Sequence, residues 1–165
     1  MRIEYLADHP SLIPELALLH FRQWGYLRPA QTLEERTLRL RDACGRGGVP
    51  TVVVALEGGA LCGSAMLVAS DMDTRPGLAP WVAGVYVVER YRGRGYGSAL
   101  VARVESEASA IGVERLHLYT PGAADFYRRL GWTADERFEY LGQRVTVMSR
   151  PIAARADDVG VSEPG

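Results

Sequence analysis

Residues 81–100 read Trp81-Val82-Ala83-Gly84-Val85-Tyr86-Val87-Val88-Glu89-Arg90-Tyr91-Arg92-Gly93-Arg94-Gly95-Tyr96-Gly97-Ser98-Ala99-Leu100. Trp81 to Val88 is a β-type run, and from Leu100 onward Val101, Val104, Ala108 and Ile111 recur at helical spacing until Gly112 closes the pattern. The glycine-rich stretch between them is therefore a strand-to-helix turn. Such a turn gathers unpaired backbone N–H groups at the positive end of a helix dipole. Alternating glycines let that backbone approach a ligand without an intervening Cβ, and Arg92 and Arg94 add charge, so the turn suits a phosphate group. A solvated basic turn is the plainer alternative.

Two familiar phosphate-binding patterns do not fit. A nucleotide-triphosphate loop needs lysine after its last glycine, and every one of the 19 basic residues here is arginine. The absence of lysine also removes Schiff-base chemistry, and the chain has no asparagine to serve as a ligand. A dinucleotide fold wants its glycines in the first β-α unit and an acidic residue at the end of the next strand. Here the next strand ends in Tyr119-Thr120, and the turn lies past the middle of the chain.

Working outward from the turn, a short strand near 2–6 precedes a helix at 11–24 built on Leu12, Ile13, Leu16 and Leu19. Thr32-Leu33-Glu34-Glu35 is a capping box, opening a helix whose Leu33, Leu40 and Cys44 share one face until Gly45 stops it. Thr51–Leu56 and Leu61–Val68 flank Glu57-Gly58-Gly59-Ala60 as a hairpin, and 71–80 has the chemistry of a surface loop. After the long helix come a strand at Arg115–Tyr119, a short helix capped by Thr120 with Pro121 at its first position and ended by Gly131, and two strands near 132–140 and 144–150. The order β-α-α-β-β-β-α-β-α-β-β predicts an α/β fold with a mixed sheet of six to seven strands and about four helices. Residues 1–152 form the expected domain, and 153–165 an expected mobile tail.

With 165 residues, 47% hydrophobic and 24% charged, the chain has the size and composition of one soluble domain. A net charge of −1 offers no overall field toward nucleic acid or an anionic membrane. Cys44 and Cys62 have no CxxC spacing and no histidine at ligand distance, so they read as reduced packing residues and no metal is expected. No leader-like or membrane-length apolar run is seen, and a cytoplasmic location is the default expectation.

The run 81–100 resembles the acetyl-coenzyme A signature of the GCN5-related N-acetyltransferase (GNAT) family, R-x-x-G-x-G at the start of the central helix, matched by Arg92, Gly95 and Gly97. Ala124-Asp125-Phe126-Tyr127-Arg128-Arg129-Leu130-Gly131-Trp132 is similar to the family's late FY-x-x-LGF block. The element order is also the family's, so the resemblance covers about residues 1–150.

The resemblance implies a single-domain acyltransferase that moves the acetyl group of acetyl-CoA directly to a primary amine of a small molecule, peptide or protein, acting as a monomer or homodimer. By the family pattern, amides of Gly93, Arg94, Gly95, Tyr96, Gly97 and Ser98 hold the diphosphate with the charge of Arg92 nearby, while Val85, Tyr86 and Val87 pair with the pantetheine arm and aim a backbone donor at the thioester oxygen. Tyr127 falls where the family places the acid that protonates the leaving thiolate. The family's strand glutamate corresponds to Tyr119, a departure. His117, two residues earlier on the same strand face, is a candidate base, and Asp71, Asp73 and Glu89 are other carboxylates near the site; water-mediated deprotonation is the alternative. The family's asparagine after that strand is replaced by Thr120-Pro121-Gly122. Acceptor choice is expected from the first two helices, their connection His20–Arg28 and the loop 71–81, where aromatic and arginine side chains together suit an acidic or carboxylate-bearing amine. A coenzyme-A-binding sensor without catalysis is the rival from another class.

Overall fold

Strands β1 (Arg2–Tyr5), β2 (Thr51–Glu57), β3 (Ala60–Val68), β4 (Trp81–Val87), β5 (Arg115–Thr120), β6 (Thr133–Tyr140) and β7 (Gln143–Pro151) form one sheet in the computed structural model, which describes residues 1–153. The expected tail lies, from residue 154 onward, outside the described residues. Four α-helices complete the fold: α1 (Ile13–Trp24), α2 (Leu33–Asp42), α3 (Tyr96–Ala110) and α4 (Ala124–Arg129). The sheet order is β1-β2-β3-β4-β5-β7-β6, antiparallel throughout except for β4 beside β5.

Both sheet faces are covered, which explains why Thr51 to Leu56 is buried without alternation. Val53 and Ala55 pack with Leu100, Val101, Val104 and Ala108 of α3, while Val52, Val54 and Leu56 pack with Ile13, Leu16 and Ala17 of α1 and Leu40 of α2. A third cluster of Met72, Trp81, Tyr140, Val145 and Val147 seats the 71–80 loop on the far half of the sheet. Gly112 closes α3 with φ of 78°, the left-handed conformation expected there. Among the described residues no helix is long and apolar enough to cross a membrane.

Three local expectations need correction. The buried stripe of α1 is Ile13, Leu16, Ala17 and His20, and two short 3-10 turns precede the helix. In α2, Thr32 Oγ1 does accept from the Glu35 amide at 3.1 Å, but the helix ends at Asp42 and only Leu40 is buried, with Leu33 37% exposed. Gly45 answers a different need: a Cβ there would stand 2.2 Å from the Pro50 carbonyl oxygen. Finally, α4 begins at Ala124 rather than beside Thr120. Thr120 is still paired with Thr146 in the sheet, so the chain must turn first, and Thr120 Oγ1 accepts from the Ala123 amide at 3.0 Å to make that turn.

Candidate active site

β4 and β5 meet at a single register pair, Trp81 with His117, closed by the His117 amide donating to the Pro80 carbonyl at 3.1 Å. Beyond that point the two parallel strands part, which leaves one edge of β4 without a neighbour. A strand edge with free N–H and C=O groups is a template for an extended ligand. The cleft opened there has a volume of about 620 Å³ and is lined from β4 by Val82 to Val85, from β5 by Leu118 to Thr120, and from α4 by Tyr127.

A β-bulge sharpens the bend of β4. Gly84 and Val85 together oppose Ala65, because the register passes from Met66–Ala83 to Ser64–Tyr86. Gly84 has φ of 57°, and a Cβ on it would meet Met66 Sδ at 2.7 Å, so glycine is required twice over. The bulge is tied down from the α1 side. Ser64 Oγ donates to the Gly84 carbonyl at 2.8 Å and, its one proton committed, accepts from His20 Nε2 at 2.9 Å. His20 is buried and its pKa falls to about 3, chiefly from desolvation with a contribution from Arg36, so it is a neutral donor. Ser64→Ala leaves two buried polar groups without partners, at about 1–3 kcal/mol each. The expected result is a midpoint of thermal unfolding several degrees lower; an unchanged midpoint would show that the chain His20–Ser64–Gly84 holds nothing in place.

The glycine-rich turn sits at the mouth of this edge. Gly95 is the N-cap of α3 with φ of 82° and no side-chain cap, and the first amide with a backbone acceptor is Ala99, which donates to Gly95 at 3.1 Å. Among the described residues the amides from Gly93 to Ser98 have no backbone partner, as an anion-binding turn requires. The side chains differ in their use. Arg92 turns back, its Nε donating to the Val87 carbonyl at 2.9 Å, and Arg94 lies over the Tyr91 ring. Tyr96 points inward, its hydroxyl bonded to the Glu57 carboxylate, so only its amide faces the turn. At Gly97 a Cβ would touch Phe126 at 3.4 Å and Val87 at 3.7 Å, so this glycine lets α3 lie close to α4 and β4.

Tyr127 is buried between Phe126 and Trp132, with ring centroids at 5.0 and 6.1 Å, and its hydroxyl makes no hydrogen bond among the described residues. Burial pushes the phenol up to about 12. Tyr119 also lines the cleft, stacked edgewise on Trp81 and Tyr140 and raised well above the usual phenol range by burial and by the neighbouring Asp71. His117 shares that strand face, as alternation required, but its ring is buried against Trp81 and does not line the cleft. Desolvation lowers its pKa, and its Nδ1 has no partner among the described residues. Asp71 does line the cleft, and burial raises its carboxyl to about 7 against the pull of Arg28. Asp73 accepts from the Tyr140 hydroxyl at 2.9 Å, and Glu89 does not line the cleft. Among the described residues no cluster of His, Cys, Asp and Glu could hold a metal ion.

Sequence reasoning did not single out Gly84, Ser64 or the arginines of α2. Only Gly84 carries a local signal, a glycine inside a valine-rich strand.

Residues 49–134 match the family described as Acetyltransferase (GNAT) domain. No curated protein matches the chain. Among solved structures, an aminoglycoside 6'-N-acetyltransferase complexed with coenzyme A superposes with a TM-score of 0.75 at 16% identity, over 95% of this chain and 100% of that one. A GNAT superfamily phosphinothricin acetyltransferase from Sinorhizobium meliloti in complex with AcCoA gives 0.61 at 22% identity, over 80% and 76% of the two chains. Tetrahymena GCN5 gives 0.66 at 19%, over 95% and 99%. At these identities the likeness is one of fold.

Proposed function

The chain belongs to the acetyltransferase (GNAT) family, and from that premise we propose that it transfers the acetyl group of acetyl-CoA directly to a primary amine. The carrying observation is the parted β4–β5 edge, with open amides at one end and the Tyr127 phenol facing the space between the strands. The amides of Gly93 to Ser98 receive the diphosphate. The pantetheine arm lies along Val85 to Val87, and the bulge at Gly84–Val85 turns a backbone donor toward the thioester oxygen, where negative charge develops during attack. The amine attacks the carbonyl carbon, the C–S bond breaks, and Tyr127 gives its proton to the departing sulfur. A phenol raised to about 12 stays protonated at neutral pH.

Neither Cys44 nor Cys62 lines the cleft, so no thiol is placed to carry the acetyl group. The test is thiol release from acetyl-CoA over a panel of amines and peptides, with coenzyme affinity measured by calorimetry. Turnover with at least one amine is expected. Tight coenzyme binding with no thiol released by any acceptor would instead identify a sensor module.

A further inference from the structure

The cleft extends past the acetyl-transfer edge to a wall formed by α1, α2 and their connection. Arg28, Arg36 and Arg39 line that wall, and Asp71 and Tyr119 also line the cleft. None of the three guanidiniums is in an ion pair among the described residues. Arg28 donates to the Tyr140 hydroxyl at 3.3 Å, and the buried Nε of Arg36 has no acceptor among the described residues. Burial and the charges of Arg28 and Arg39 lower the pKa of Arg36. Three mutually repelling cations beside one cavity, with a donor left over, are relieved by an anion among them. Among the described residues the same cleft is lined by a single carboxylate, Asp71, within the field of Arg28.

We infer that the acceptor is a small primary amine bearing a carboxylate, held through that carboxylate by Arg36 with Arg28 and Arg39, while its ammonium meets Asp71, which takes the proton before attack. This rests on the acetyl-transfer reading. The ammonium loses one proton to Asp71, nitrogen bonds to the thioester carbon, the C–S bond breaks, and sulfur takes the proton of Tyr127. The second nitrogen proton restores the phenol, and Asp71 passes its own to solvent, so the sum is amide, free thiol and one proton. A polycationic acceptor meets three arginines against one carboxylate and is disfavoured.

Asp71 is faced by Arg28 from the α1–α2 connection and by Tyr119 of β5, and behind them Tyr119 and Arg28 also meet the bonded pair Tyr140 and Asp73, with Arg36 and Arg39 of α2 and neutral His20 of α1 on the other walls. With the carboxyl raised to about 7, Asp71 is protonated below that pH and cannot take the ammonium proton. Therefore kcat/KM rises with pH up to about 7 and then levels, well before the amine itself titrates.

The test pairs a panel of α- and ω-amino carboxylic acids with their carboxamides, after calorimetry has shown acetyl-CoA bound; failure to bind it would end the acetyl-transfer reading itself. With coenzyme bound, the acids are expected to exceed their amides by about tenfold or more in kcat/KM. Arg36→Gln, or Arg39→Gln at its exposed position if the first does not fold, draws that ratio toward unity. Asp71→Asn removes the pH limb near 7. Amides, lysine peptides or a polycationic amino sugar used as well as the acids, no acid acetylated or bound, a ratio untouched by both arginine variants, or a pH limb surviving in Asp71→Asn would each overturn the assignment.

Discussion

Tyr127→Phe lowers kcat by about 10²–10⁴, the span expected for loss of a positioned general acid, and leaves the affinity for acetyl-CoA within about twofold. The substitution is clean because of how the ring is held. Phe126 and Trp132 grip the aromatic body, which phenylalanine retains, and the hydroxyl has no partner among the described residues to strand. Folding stability should accordingly move little, and the kinetic loss reports on the proton alone. The pH dependence carries a second signature. Since burial raises the phenol to about 12, the acid is intact across the working range, and no fall in kcat from Tyr127 is expected below about pH 11. The linkage follows in the same direction: with the folded pKa above the unfolded value of 10.0, this side chain costs stability only as pH rises past 10. Equal kcat in the two forms would remove Tyr127 as the acid.

Gly95→Val raises the dissociation constant of acetyl-CoA by about 100-fold and destabilises the unliganded protein. Two effects act together. Gly95 caps α3 at φ of 82°, where a Cβ strains the backbone by about 1–2 kcal/mol. No protein atom lies within 4 Å of where that Cβ would stand, so the branched side chain projects into the space that an approaching diphosphate must cross. Gly95→Ala separates the two, keeping most of the strain with a much smaller obstruction, and should lose less affinity than valine at similar stability. Calorimetric titration with the coenzyme and thermal unfolding without it give the two readouts. Unchanged affinity in the valine variant would undo the assignment of this turn as the diphosphate site.

Stability offers a check on Asp71 that is independent of turnover. A carboxyl whose folded pKa is raised from 3.8 to about 7 binds more protons folded than unfolded, so its charge weakens the fold as pH climbs through that window. Asp71→Asn should therefore raise the unfolding midpoint above pH 7 by a few degrees and change it little near pH 4. The opposite sign would mean that the carboxylate is stabilised by its arginine neighbours instead of being desolvated.

The order of strands and helices, the glycine turn at 92–98 and the block around Tyr127 were legible in the chain, because each is written in interactions only a few residues long: apolar spacing, a left-handed glycine at a helix end, a motif on one short helix. Where an element's boundary depended on a distant partner, local reading failed. Thr120 looked like a helix cap but is held in the sheet by Thr146, and Gly45 looked like a helix stop but answers the approach of Pro50. The site divides in the same way. The side proposed for the coenzyme follows from sequence, since backbone amides and a glycine turn need no remote neighbour. The wall proposed for the acceptor takes its chemistry from the tertiary structure. His20 becomes a neutral donor only when packed against Ser64, Asp71 acquires its pKa only when the loop closes over it, and Arg28, Arg36 and Arg39 become one cationic wall only when two helices meet. Desolvation and electrostatic fields depend on what surrounds a group in space, and here those surroundings come from segments far apart along the chain.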